Sequence, residues 1–396
     1  MHAQRLLHNH LKKSCAHVHD KRIDSLMRVA GSLLNHGKLT LTSLGRHLSG
    51  SSKVKYKVKL IDRLLGNRKL HAERLAFYRG MAVQTIGSLT AIKVIVDWSP
   101  CASHAHQLLR ASLVFRDRSI TLYEEVHEEH YVANYRIHQT FLKRLSTIIP
   151  KSCQVLIITD AGFRTDWFLL VLAQGWDFEG RVRGNLQYAD MQGKFWLPCT
   201  SLYAQATKCA KYIGQILLSK TQQLPCYAYL YKETPKAKKK AQRKVTSGKM
   251  EKSYRQAAHD PWLLVTSVAH QPQQAKTMVK NYKRRMKIEH EFRDTKDPKW
   301  GLGLNYTRTR EVQRLAILLL IGAIAMWMLW LIGLAAERQQ LHYDYQANTI
   351  KTHRVLSLIF LALQVIEHDS HTLCEQDLCD ALLYAQNTEC REANNG

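Results

Sequence analysis

Apolar positions at helical spacing open the chain. Ile23, Leu26, Val29, Leu33 and Leu34 fall on one face of a predicted helix from Arg22 to Asn35, which His36-Gly37 would end. Thr42 is placed to cap a short helix, Ser43 to Leu48, and a strongly basic helix follows over Val54 to Leu65. Residues 1–80 therefore read as a helical domain, ending in a helix-turn-helix-like arrangement suited to a DNA groove or to an ordinary helical cap. The period changes from Ala91 onward. The β-branched run Ile92 to Val96 ends in Asp97, and Leu108–Phe115 and Ser119–Val126 predict two more strands. A helix over Tyr135–Ile149 precedes a second buried strand, Gln154 to Thr159, which also ends in an acid, Asp160. A helix (Asp166–Gln174) and a strand (Phe178–Arg183) complete this block. Strands this uniformly apolar predict an α/β fold with a sheet covered on both faces, where sites form at strand C-terminal ends.

Residues 189–260 alternate short β-type pieces (Tyr212–Leu218, Cys226–Tyr231) with polar turns. Within it, Pro235 to Lys252 is a basic run with too few apolar residues to pack, a mobile loop by composition. Pro261 to Ser267 returns to strand, and a long helix-compatible stretch leads through Tyr282 to Lys296. Leu315 to Ala336 holds 22 consecutive uncharged, almost wholly apolar residues. Hydropathy alone reads that segment as a membrane span, whereas a helix apolar all round is also what a large core buries. Its place about twenty residues after the Tyr282–Lys296 stretch favours the core, and no membrane partner is expected. Residues 345–396 predict one or two amphipathic helices with a polar tail.

Charge narrows the partner. The chain carries a formal net charge of +26, spread over every region rather than confined to a tail, so a polyanion is the natural ligand. Nine cysteines form no zinc-type spacing, and an odd set of scattered thiols fits a reducing cytosol. The N-terminus has no apolar core of signal-peptide length. A cytoplasmic, nucleoid-associated protein is expected, with no small-molecule cofactor.

The chemistry concentrates in Tyr282 to Lys296. On a helical wheel Tyr282, Arg285, Glu289 and Lys296 share a wedge of roughly 60°. A carboxylate among phosphate-binding groups on one face suits a metal-dependent phosphodiester reaction, while a solvated charged face would show the same pattern. Asp97 and Asp160 at strand ends, with Glu289 on a helix, make a set of three acids that could hold two Mg²⁺ ions. An Asp at a strand end is otherwise a common turn or cap residue. Glu291 lies about 180° from the Glu289–Lys296 edge and is set aside as the third acid.

These residues resemble the bacterial insertion-sequence transposases of the DDE superfamily, in the family named after insertion sequence four. The signature Y-x2-R-x3-E-x6-K is met by Tyr282, Arg285, Glu289 and Lys296, and V-D-W-S (Val96–Ser99) and T-D-A-G-F (Thr159–Phe163) resemble the first two motifs. The resemblance implies an RNase H-like catalytic core, a mixed sheet with flanking helices, over 81–188 and 261–340. The β-rich insertion at 189–260 would interrupt it, with helical N-terminal (1–80) and C-terminal (341–396) regions on either side. It implies Asp97, Asp160 and Glu289 as catalytic metal ligands for two Mg²⁺, with Mn²⁺ able to substitute. Tyr282, Arg285 and Lys296 would contact DNA phosphates. Trp262 matches a position that stacks a flipped base, although a strand Trp after Pro is also an ordinary core residue. Arg183, at the end of its strand, is a further candidate phosphate clamp. The implied partners are DNA (terminal inverted repeats and target) and a second copy of the chain in a synaptic complex. The implied reaction is cut-and-paste transposition through nicking, hairpin formation, hairpin opening and strand transfer.

Overall fold

The structure is a computed structural model that describes residues 2–101, 105–115, 118–233, 260–368 and 373–394. The basic run from Pro235 to Lys252 lies outside them. The chain divides into two compact units, Met1–Gln154 with Met286–Asn395, and Val155–Arg285.

The first unit opens with helices α1 (His2–Ser14), α2 (Asp20–Leu34), α3 (Leu41–His47), α4 (Val54–Leu65) and α5 (Arg68–Ile86). Two of these, α1 and α5, were not foreseen from the apolar spacing. In α5 the buried residues scatter around the axis because several neighbours cover it, so it shows no clear stripe. The cap of α3 is Thr40 rather than Thr42: the Thr40 hydroxyl accepts the Ser43 backbone N–H at 3.2 Å. Three antiparallel strands follow in the order β3-β2-β1: β1 (Ala91–Cys101), β2 (His106–Val114) and β3 (Ser119–Glu128). Helix α6 (Tyr135–Ile148) packs on β3 and α5.

The second unit runs β4 (Gln154–Thr159), α7 (Thr165–Leu172) and β5 (Asp177–Val182), continues through β6 (Gln187–Ala189), β7 (Leu197–Pro198), β8 (Lys211–Leu218), β9 (Leu224–Tyr231) and β10 (Trp262–Thr266), and ends in α8 (Gln274–Arg284). Its strands lie in the order β4-β5-β10-β9-β8-β6-β7. Only β4–β5, joined through α7, is a parallel pair here; the others are antiparallel. The fold is thus mixed α/β. Helix α8 covers a core of Ile158, Tyr229, Leu264, Met278, Val279 and Tyr282.

Back in the first unit, α9 (Met286–Lys296) leads to α10 (Val312–Arg338), α11 (His342–Tyr345), α12 (Leu358–His368) and α13 (Glu375–Asn394). The expected single helix through Tyr282–Lys296 is interrupted at Arg285. That residue keeps helical dihedrals (φ −51°, ψ −34°), but its N–H bonds back only three residues, to the Tyr282 carbonyl. Every residue from Leu315 to Ala336 of α10 is buried. It packs against α2, α4, α5, α12, α13 and β3, so protein covers the apolar surface that hydropathy alone would give to lipid. Its tryptophans are tied down individually. Trp327 donates Nε1–H to Thr85 Oγ1 at 2.9 Å, and Trp330 stacks on Phe115 with ring centroids 5.1 Å apart.

Candidate active site

Asp97 does not end its strand. It is the seventh of the eleven residues of β1, which stays paired with β2 as far as Cys101↔His106. The β-branched run stops at Val96, but the ladder continues, because backbone pairing does not need β-branched side chains. Asp97 is half-buried, and its Oδ1 accepts the Trp98 backbone N–H at 2.8 Å.

Directly across the ladder from Asp97 is Arg110, so their side chains share one face of the sheet. Ser99, two residues on, faces the same way. Helix α9 packs over this face. Its buried residues are Ile288, Glu291, Phe292 and Thr295, while Glu289 is exposed. Glu289 and Lys296 are seven residues apart and so within about 20° of each other, on a flank about 100° from the buried side. Lys296 tells which flank: its Nζ donates to Ser99 Oγ at 2.5 Å. The side of α9 carrying Glu289 is therefore turned toward β1, the strand that carries Asp97. Burial first, and the positive charge of Arg110 second, push the Lys296 ammonium down to about 8, with Asp97 among the groups that resist the shift.

Glu291 has different work. It is 2% exposed, accepts the Ser119 hydroxyl at 2.7 Å and the Thr121 hydroxyl, and lies 3.7 Å from Arg110 Nη1. It anchors the helix to β3 and β2.

The second unit holds the other candidates. Asp160 immediately follows β4, and its Oδ1 accepts the Gly162 N–H at 2.8 Å. A Cβ at Gly162 would come within 3.0 Å of that same oxygen, so glycine keeps the carboxylate in place without crowding. Tyr282 is 5% exposed, and burial pushes its phenol up while Arg285 and Arg181 pull it down. Both guanidiniums favour the charged form of the phenol, and Arg285 sits 5.7 Å from the centre of its ring. Trp262 is half-buried. It meets Tyr282 edge-on with centroids 4.9 Å apart, and Tyr231 at 5.4 Å. Arg183 is paired with Asp260, Nη2 to Oδ2 at 3.0 Å.

Three partners escaped the reading from sequence: Ser99, Arg110 and Arg181. Arg181 lies 6.0 Å from the Trp262 ring and bonds the Asp260 carbonyl at 3.2 Å. Its spacing from Arg183, just past the end of β5, was visible, but only the fold tells which of the two lies by Tyr282.

Within each unit taken alone, among the described residues, no three His, Cys, Asp or Glu side chains cluster closely enough to hold a metal. Asp97 and Glu289 lie in the first unit and Asp160 in the second. Carboxylate oxygens are the hard donors that Mg²⁺ or Mn²⁺ takes, so the residue types fit such an ion.

Carboxylates, a lysine, a phenol and guanidiniums are the groups with which enzymes that break and rejoin phosphodiesters hold metal ions and phosphates. The family described as the transposase DDE domain matches residues 95–327, more than half of the chain, and the chain belongs to that family. It is a DDE-type nuclease and transesterase with an RNase H-like core, acting in DNA transposition; enzymes of this kind use divalent metal ions. No curated protein matches the chain.

Proposed function

We propose that this enzyme carries out cut-and-paste transposition in the manner of the insertion sequence four family, and that it resembles the transposase of transposon ten. The observation carrying this reading is that residues 95–327 of the family match contain Asp97, Asp160 and Glu289, together with the complete Y-x2-R-x3-E-x6-K spacing. Asp97, Asp160 and Glu289 are the acids that hold two Mg²⁺ ions, with Mn²⁺ able to substitute. Bound ions of this kind activate the attacking oxygen and stabilise the leaving one.

The chain's own groups divide the remaining work. Lys296, tied to Ser99, meets a phosphate oxygen beside the cleaved bond. Arg285 orients the DNA backbone. Tyr282, being buried under Trp262, holds Arg181 and Arg285 in place through its phenol as much as it contacts phosphate itself. Trp262 stacks the base displaced when a free 3′-hydroxyl attacks the opposite strand to form a hairpin, lowering the cost of the sharp bend. Arg183, engaged by Asp260, is the weakest of the phosphate contacts.

Residues 1–80 bind the terminal inverted repeats, 81–188 and 261–340 form the catalytic core, 189–260 its β-rich insertion, and 341–396 the contact with a second copy in the synaptic complex. The protein works in the bacterial cytoplasm on nucleoid DNA. The test is to incubate purified protein and Mg²⁺ with linear DNA carrying the element's own ends and to separate the products on a denaturing gel. Nicked strands followed by hairpins support the reading. Cleavage without hairpins reduces it to a simpler nuclease, and DNA binding without cleavage refutes it.

A further inference from the structure

The face of β2 that carries Arg110 lies beside Asp97, yet the Arg110 guanidinium is spent elsewhere. Arg110 is 2% exposed. Its Nη2 lies 2.7 Å from Glu124 Oε2, and its Nε donates to the same oxygen at 2.8 Å. Nη1 donates to Thr295 Oγ1 at 3.2 Å and stands 3.7 Å from Glu291 Oε1, and the guanidinium lies 4.9 Å from the Phe292 ring centroid. Glu291, Phe292 and Thr295 are the buried side of α9, the helix that presents Glu289 and Lys296. Glu124 is fixed in turn by the Tyr78 hydroxyl at 3.2 Å. One side chain thus joins the strand position opposite Asp97 to three residues of the helix bearing Glu289.

We propose that Arg110 is a positioning residue that sets the rotation and height of α9, and through them the reach between Asp97 and Glu289. Two fixed points determine a helix on a sheet: Arg110 grips its buried side and Lys296–Ser99 its β1 flank. Releasing the first lets α9 roll while the second holds. Glu289 then loses its aim at the ions. The charges facing Arg110 include Glu124, Glu291 and the Lys296 ammonium, and both carboxylates need its cation, so the group cannot be replaced by a neutral one without loss. The inference rests on the metal-holding roles assigned above to Asp97 and Glu289.

The test compares the wild type with Arg110→Lys, and with Arg110→Met combined with Glu124→Gln, a pair that removes the two charges together should the lysine variant fail to fold. Direct Mn²⁺ binding is followed by the electron paramagnetic resonance signal of the free ion, alongside DNA affinity by gel shift, nicking rate, and thermal melting. Expected for a variant that melts as a folded protein is Mn²⁺ binding weakened about 10- to 100-fold, with nicking slowed to match and DNA affinity within about 2-fold of wild type. A folded variant that binds Mn²⁺ like the wild type overturns the proposal, and so does a loss of DNA affinity equal to the loss in nicking. If the wild type binds Mn²⁺ but makes no hairpin, the transposition pathway fails while the Arg110 assignment is still decided by the binding arm. If Asp97→Asn binds Mn²⁺ as tightly as the wild type, the metal roles fail and the Arg110 assignment with them.

Discussion

At the scale of single residues, position within an element decides role more than residue type does. Glu289 and Glu291 are two residues apart on one helix, yet one is exposed on the flank facing β1 and the other is buried against Ser119, Thr121 and Arg110. Asp97→Asn, Asp160→Asn and Glu289→Gln should each lower strand cleavage by about three orders of magnitude or more while leaving DNA affinity nearly unchanged. Cleavage and gel-shift assays run side by side check this, and retained cleavage removes that residue from the site. Glu291→Gln should instead act on stability, visible as a lower melting temperature. A second residue-scale prediction concerns His138, which is 5% exposed and whose Nε2 accepts the Trp98 Nε1–H at 3.1 Å. Burial first, and His127 second, push its imidazole down to about 4, so the folded protein keeps it neutral where the unfolded chain, titrating near 6.5, takes up a proton. Below 6.5 the unfolded state binds the extra proton, and stability should fall as pH drops from 6.5 toward 4. The loss at this group is on the order of 3 kcal/mol. Urea melts at pH 7 and pH 5 for the wild type and His138→Asn test it: the variant should lose part of the pH dependence.

At the scale of elements, α10 is the main support of the first unit. Its apolar surface touches helices from both ends of the chain and β3, so it joins segments distant in sequence. Its crossing with α12 is close because of Gly333, where a Cβ would stand 2.1 Å from the Leu358 carbonyl oxygen. Gly333→Ala should therefore destabilise the protein by about 1–3 kcal/mol despite alanine's better helix propensity, since the helices must separate. Thermal unfolding reads it, and an unchanged or higher melting temperature would mean the crossing can relax. The elements also show where sequence periodicity succeeds. Basic α4 was legible at its observed bounds, because its polar and apolar residues are segregated between solvent and one packing surface. The interior strands β4 and β10 were legible as short apolar runs. Helix α5 was not, because it is covered on several sides, and the end of β1 was misplaced because Asp97, Trp98 and Ser99 interrupt the apolar run without interrupting the ladder.

For the molecule as a whole, the net charge of +26 is the property that reaches furthest from any one site. Association with DNA should weaken steeply as salt rises, log K falling linearly with log salt at about 0.9 per phosphate neutralised. Titrations of a terminal-repeat duplex at several salt concentrations measure the slope. A shallow slope would show that the charge is not deployed on the DNA.

The sequence alone determined which residues are candidates for the chemistry. Asp97, Asp160, Glu289 and the Tyr282–Arg285–Glu289–Lys296 spacing were readable in one dimension, because a rigid helix turns spacing into direction and a polyanion demands surplus cation. Only the tertiary structure decided which side chains support them. Ser99, Arg110 and Arg181 earn their places through pairing across strands and packing of helix on sheet, contacts between residues far apart in the chain that no local pattern encodes. The same holds for the burial of α10. An apolar run is equally at home in lipid or in a core, and what surrounds it is settled by the rest of the fold.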